Sequence, residues 1–192
     1  MSREHILSFA HNINLRAGCL GRLPACQQPN QNIMKTQTTI TDLTTEDLVN
    51  LFSTAFYGSN YLSADYEESV EYDEDDCYED IMANILLNGG KIMVTDSYAD
   101  GCHYGTLKWQ YNEDYDVTYD VRIEDIKRGL ERAANGTFNA GENDEYQPDW
   151  RERNIEFAKR SFNAFAFDER EWDAITADCL MQIILFDEIV YG

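Results

Sequence analysis

The sequence is poor in the residues that carry most catalytic and cofactor chemistry. Only three of its 192 residues are histidine, and after residue 33 the single one is His103. It has no CxxC pair, no GxSxG nucleophile turn and no GxxxxGK[ST] loop. These absences exclude the common signatures of zinc sites, serine hydrolases and P-loop enzymes. We therefore expect no enzymatic activity, no catalytic residues, no bound metal and no cofactor.

Long apolar runs are also missing. The longest, CLMQIILF at residues 179–186, is much shorter than the ~20 residues that a helix needs to span a bilayer. The five cysteines are odd in number and irregularly spaced, which does not indicate a disulfide framework. Reduced thiols are typical of the cytoplasm, and the sequence predicts a cytoplasmic location.

Positively charged residues are also scarce. The chain has 15 Lys and Arg against 36 Asp and Glu, for a net charge of −21. Nucleic acids and anionic membranes carry charge of the same sign, which argues against direct binding to either. Hydrophobic residues make up 43% of the chain and aromatic residues 12%, which is too apolar for a disordered protein. We expect a folded domain with a strongly acidic surface.

The first 33 residues differ in charge from the rest. They contain three Arg and one acid, Glu4, whereas the chain from Met34 onward has 12 basic and 35 acidic residues. This change of sign predicts that residues 1–33 are a disordered leader or an over-called start. A targeting segment is the alternative, because acid-poor, Arg-containing stretches resemble transit peptides. Residues 34–192 are predicted to form a single acidic α+β domain.

Hydrophobic periodicity predicts helices at both ends of this domain and strands in its middle. Helical spacing occurs in TDLTTEDLVNLFSTAFYGS and CYEDIMANILLNGG, and then KIMVTDSY, YGTLKWQY and DVTYDVRI read as strands. Helical spacing returns in three later stretches, with Asp168 as the expected N-cap of the last. The predicted order is α-α-β-β-β-α-α-α, an α+β fold in which a three-stranded antiparallel meander packs against about five helices.

The stretch DYEESVEYDEDDCYED, residues 65–80, contains ten carboxylates and no lysine or arginine. Acids just before the helix that starts near Cys77 favour its positive end, but one or two are enough for that purpose. No glycine stands at the sixth position of any EF-hand register here, so the stretch is not a standard calcium loop. We predict that it binds a basic surface of a partner protein through Asp65, Glu67, Glu68, Glu71, Tyr72, Asp73, Glu74, Asp75 and Asp76.

The C-terminal stretch WDAITADCLMQIILFDEIVYG, with DIKRGLERAANG before it, resembles uncharacterised small acidic proteins of bacterial conjugative transposons and phages. The resemblance covers roughly residues 120–192 and implies no activity and no site residues. It implies an accessory gene of a mobile element, a setting in which acidic proteins block DNA-binding defence enzymes.

The sequence therefore favours a non-enzymatic acidic interaction protein. In its sharper form it is a DNA mimic that blocks a nucleic-acid-binding enzyme, since one turn of duplex DNA presents about 20 negative charges. Two alternatives stay open. One is a protein whose acids serve only as a solvated surface, and the other is a cation-dependent enzyme built on paired carboxylates.

Overall fold

The computed structural model describes residues 37–66, 77–99, 104–143, 145–168 and 170–191. The predicted leader, residues 1–33, lies outside these ranges. Residues Thr38–Gly192 form one compact unit, and the description below concerns that unit.

Five helices and four strands occur in the described ranges, and they confirm the α+β class. The helices are α1 (Thr45–Gly58), α2 (Tyr78–Leu87), α3 (Ile123–Asn135), α4 (Trp150–Phe167) and α5 (Ala174–Phe186). The strands are β1 (Leu62–Asp65), β2 (Ile92–Asp96), β3 (Trp109–Tyr111) and β4 (Val117–Val121). None of the helices in this part of the chain has the length and apolar character needed to cross a membrane.

The sheet differs from the predicted three-stranded meander in two ways. It has a fourth strand, β1, and its order is β1-β2-β4-β3 with every pair antiparallel. Thus β2 pairs with β4, and β3 lies beyond β4 at the edge. A tight turn joins β3 to β4, in which the Asn112 N–H donates to the Asp116 carbonyl. The connection from β2 to β3 is much longer and permits the crossover.

Strand β1 has no clear sequence signal of its own. Its four residues, LSAD, contain one large apolar side chain, Leu62, and only that residue is fully buried. The strand exists because its backbone pairs with β2, with Leu62 opposite Asp96 and Asp65 opposite Met93. Short edge strands of this kind depend on the neighbouring strand rather than on their own periodicity.

Helix α5 is the centre of the hydrophobic core and packs against α1, α3 and α4. Every residue from Cys179 to Phe186 is buried, so this part of the helix is enclosed on all sides, and apart from Gln182 its side chains are apolar. Gly129 of α3 permits a close approach of the two helices, because a Cβ there would lie 2.6 Å from the Ile184 Cα. Phe186 at the end of α5 contacts the buried ring of Tyr119 from β4, which joins the helices to the sheet.

Several helix ends follow the local sequence. Thr44 caps α1 in a capping box with Asp47, and Gly136 ends α3 in the left-handed conformation that favours glycine. The prediction for Asp168 was wrong: this residue follows the end of α4, and Asp173 caps α5 by accepting a hydrogen bond from the Thr176 N–H. Asp173 lies five residues downstream of Asp168, and Thr176 follows it at the third helical position. These two side chains form the better capping box.

Candidate functional site

Of the predicted partner-binding residues, the structure describes Asp65. It is exposed and forms the last residue of the edge strand β1. The other eight lie outside the described residues, namely Glu67, Glu68, Glu71, Tyr72, Asp73, Glu74, Asp75 and Asp76. Their role in binding stays a prediction.

The two ends of the acidic stretch are held together. The Tyr78 hydroxyl, at the start of α2, donates to the Asp65 carboxylate at 3.0 Å and to the Ala64 carbonyl at 2.9 Å. The ring of Tyr78 also contacts that of Tyr66, with 5.1 Å between centroids. Desolvation and the bond to Asp65 raise the pKa of Tyr78, so its hydroxyl keeps its proton and remains a donor. The described residues on either side of positions 67–76 therefore contact each other beside the sheet edge.

The start of α2 bears on the helix-capping explanation of the acids. Cys77 occupies the N-cap and Glu79 and Asp80 lie in the first turn. These two carboxylates already provide the favourable charge for the positive end of the helix. Asp80 also accepts a hydrogen bond from the Cys77 thiol at 2.7 Å, which raises the pKa of that thiol. Capping thus does not require the four further acids at positions 73–76.

Charge is unevenly distributed over the described residues. They include 25 carboxylate side chains and 11 Lys and Arg. Five of these 11 cations line a single cleft: Lys91, Lys108, Arg122, Arg128 and Arg132. Only five of the described carboxylates take part in ion pairs with described residues, and three of the five belong to this cleft or its rim: Asp120, Asp125 and Asp187.

The remaining surface is correspondingly acidic. The exposed carboxylates without an ion pair to a described residue include those of the β3–β4 turn, the loop before α4 and α4 itself: Glu113, Asp114, Glu142, Glu145 and Glu156. Exposed surface charge of one sign favours long-range attraction to a positive partner.

A buried network of tyrosines and carboxylates is a third polar feature, and the sequence did not predict it. The Tyr191 hydroxyl donates to Asp96 at 2.9 Å, and the Tyr61 hydroxyl donates to Asp178 at 2.5 Å. The rings of Tyr61 and Tyr191 meet edge to face at 4.7 Å. Burial raises the pKa of Asp96 and of Asp178. Perturbed carboxylates of this kind are common in active sites.

The surroundings of this network indicate a structural role. Gln182 links it to the C-terminal segment: its amide oxygen accepts from the Val190 and Tyr191 N–H groups at 2.7 Å, and its amide nitrogen donates to Asp178 at 2.7 Å. Asp96 is fully buried, and none of the network residues lines the basic cleft. The sequence did contain a signal, since Asp96 lies on the inward face of β2 and Gln182 interrupts an apolar run.

A metal centre has no support in the described ranges. No group of three or more His, Cys, Asp or Glu side chains is positioned there to hold a metal ion. The alternative of a cation-dependent enzyme has no candidate ligand set among these residues.

No family model matches the chain, and no curated protein or solved structure matches it either. Arguments about function rest on the geometry and charge described above.

Proposed function

We propose that this protein is a non-enzymatic interaction protein whose acidic surface binds a basic surface of a partner protein. The observation that carries the proposal is the segregation of charge. Nearly half of the described cations lie in one cleft, and outside the cleft and its rim only two of the described carboxylates, Asp149 and Glu171, have an ion pair to a described residue. The acidic stretch adds seven carboxylates between residues 67 and 76, and the described residues on either side of these positions, Asp65 and Tyr78, are hydrogen-bonded to each other.

The sharper proposal is that the partner is a nucleic-acid-binding enzyme and that the acidic surface takes the place of DNA. A net charge of −21 is close to the charge of about one turn of duplex DNA. A binding site built for phosphates would be attracted to such a surface, and the association rate would fall steeply with added salt.

The test begins by capturing a partner with the full chain from a bacterial lysate at low ionic strength. Proteins are eluted by a salt step and identified by mass spectrometry. The proposal expects one basic nucleic-acid-binding protein that duplex DNA displaces. Recovery of only a mixture of basic proteins, none of them displaced by DNA, contradicts it.

Two charge-matched variants then locate the binding surface. The first replaces five acids of the stretch: Glu67→Gln, Glu68→Gln, Glu71→Gln, Asp73→Asn and Asp75→Asn. The control replaces five exposed acids elsewhere: Glu113→Gln, Asp114→Asn, Glu142→Gln, Glu145→Gln and Glu156→Gln.

Both variants change the net charge by the same amount. Exposed ion pairs contribute about 0.2–1 kcal/mol each, so we expect the first variant to bind the partner at least tenfold more weakly at low salt. The control should be weakened much less than the first variant. Equal weakening in both would mean that only total charge matters, and the role of residues 65–76 would be refuted.

A further inference from the structure

The basic cleft is unexpected in so acidic a protein. Its volume is about 630 Å³, and its walls come from the ends of β2 and β4, from residues 106–108 and from α3. Lys91 and Lys108 bind opposite oxygens of Asp120, each at 3.0 Å. Two arginines of α3 complete the wall. Arg128 and Arg132 are four residues apart and therefore lie on one face of that helix.

Close backbone packing builds this cleft. A Cβ on Gly105 would lie 2.7 Å from the Phe186 carbonyl oxygen, and the residue has a φ of +74°, so glycine is required there. This contact places Thr106 and Leu107 against the end of α5. The equally close contact between Gly129 and Ile184 sets α3 against the same helix. The cleft walls are thus held by rigid elements of the fold.

The charges in the cleft do not cancel. Three ion pairs balance internally: Lys91 with Asp120, Arg128 with Asp125 at 2.6 Å, and Arg132 with Asp187 at 2.5 Å. Lys108 shares Asp120 with Lys91, and Arg122 has no ion pair to a described residue. The positive charges of Lys108 and Arg122 are therefore not cancelled by these three pairs. The side chain of Lys108 is 81% exposed, and one nitrogen of Arg122 donates to the Gly89 carbonyl at 3.3 Å. Among the described residues, those of the cleft therefore carry an excess of about two positive charges, in a chain of net charge −21.

The arginines also keep donors for a ligand. Within the described ranges, Arg122, Arg128 and Arg132 each bind a protein oxygen through one nitrogen. A guanidinium group has five N–H donors on three nitrogens, and the geometry of its fork matches carboxylate and phosphate oxygens. The Thr106 side chain lines the same wall and offers a hydroxyl.

Asp120 keeps the two lysines in position. Its partial burial acts to raise its pKa, but the hydrogen bonds from Lys91 and Lys108 outweigh this effect, so the pKa of Asp120 lies below its ordinary value. The carboxylate stays ionised at neutral pH and fixes both ammonium groups at the cleft wall. An array of fixed cations binds an anion more strongly than the same side chains moving freely, because less conformational entropy is lost on binding.

We infer that this cleft binds a small molecule through a phosphomonoester group. A phosphomonoester carries about −1.5 to −2 charges at pH 7 and offers three acceptor oxygens, which matches the excess charge and the arginine donors. The volume is in the range of small-molecule sites and exceeds that of a phosphate alone, so the phosphate is attached to a larger organic body. Phosphomonoester binding in this cleft is an activity additional to the proposed function, which depends on the acidic surface.

The net negative charge of the protein does not prevent such binding. At physiological ionic strength the Debye length is about 8 Å, so distant exposed carboxylates are largely screened. An anion inside the cleft interacts mainly with the cations that line it. At moderate salt we therefore expect the anion to bind in the cleft more strongly than the net charge of the whole protein would suggest.

The experiment titrates the isotope-labelled full chain with adenosine 5′-monophosphate and follows the backbone amide signals by NMR. Adenosine is the uncharged control, and citrate at matched ionic strength is the anion without phosphate. The test variant is Lys108→Gln with Arg122→Gln, which removes the excess cations and the exposed Lys108–Asp120 pair but leaves the Lys91–Asp120, Arg128–Asp125 and Arg132–Asp187 pairs intact. The control variant, Arg151→Gln with Arg170→Gln, removes the same charge from exposed positions outside the cleft.

The inference expects saturable shifts at Thr106, Lys108 and Arg122 with the monophosphate and none with adenosine. Binding should be at least tenfold weaker in the test variant and unchanged in the control variant. Shifts spread over the whole surface, or equal weakening in both variants, would overturn the site. Citrate binding as tightly as the monophosphate would overturn the phosphate assignment. Thermal melts of both variants check that the fold is intact, and we expect them to match the unmodified protein.

Discussion

Replacing Gln182 by methionine tests how the C-terminal segment is attached. Gln182 is 1% exposed and makes four hydrogen bonds, to Asp178, to the Val190 and Tyr191 N–H groups and to the Tyr191 carbonyl. Methionine has a similar length and volume but can make none of these bonds. The variant therefore removes the hydrogen bonds with little change in packing.

The expected loss of stability follows from these four contacts. A typical hydrogen bond contributes about 0.5–1.5 kcal/mol net, and a buried group left unpaired costs about 1–3 kcal/mol. Residues 187–191 are half-buried, so their backbone groups can regain water if the segment detaches. Asp178 keeps its bond from Tyr61. We expect a loss of about 2–4 kcal/mol in the free energy of unfolding. At about 2–4 °C per kcal/mol for a chain of this size, Tm falls by roughly 4–16 °C.

Circular dichroism melts measure the loss, and hydrogen exchange of the Val190 and Tyr191 amides locates it. Gln110→Met is the control, because Gln110 is exposed on β3 and its side chain makes no hydrogen bond to a described residue. Both amides should exchange faster in the Gln182 variant alone. A Tm within 2 °C of the control, with unchanged exchange at these amides, would refute the role assigned to Gln182.

Two further predictions concern packing and pH. Gly129→Ala would place a Cβ 2.6 Å from the Ile184 backbone. The overpacking cost of about 1–3 kcal/mol or more exceeds the ~1 kcal/mol gain in helix propensity, so Tm should fall. An unchanged or higher Tm would show that α3 and α5 separate freely. Burial raises the pKa of Asp96 in the folded state, so its protonation favours folding, and the stability that it contributes is lost as pH rises through that raised pKa. Tm should therefore rise as the pH is lowered toward the ordinary carboxyl pKa of about 4, less steeply in Asp96→Asn; identical pH profiles for the two proteins would contradict this.

Local sequence patterns predicted the helices well. The apolar stripe of α1, its cap at Thr44 and the glycine stop of α3 all lie within one or two turns of the residues that they control. Such signals depend on spacings of three or four residues, and they are readable without knowledge of the fold. The strand segments β2, β3 and β4 were found in the same way, from alternation over a few residues.

The candidate functional features were harder to predict from local sequence than the helices, because they depend on how distant segments pack together. The prediction of an acidic binding surface came from composition, and of its named residues the structure describes Asp65 alone. The basic cleft had no sequence signal, because its five cations are spread from Lys91 to Arg132. The tyrosine network was missed because its partners are far apart in the sequence: Tyr61 and Asp178 are separated by 117 residues.

The sequence by itself determined the charge of this protein, its α+β class and most of its helices, because composition and short-range periodicity are properties of the chain. Only the tertiary structure decided that β1 joins the sheet, that β2 pairs with β4, and that scattered cations meet in one cleft. These outcomes depend on backbone pairing and close packing between distant segments. Such contacts form only when the whole core is assembled, and no local pattern records them.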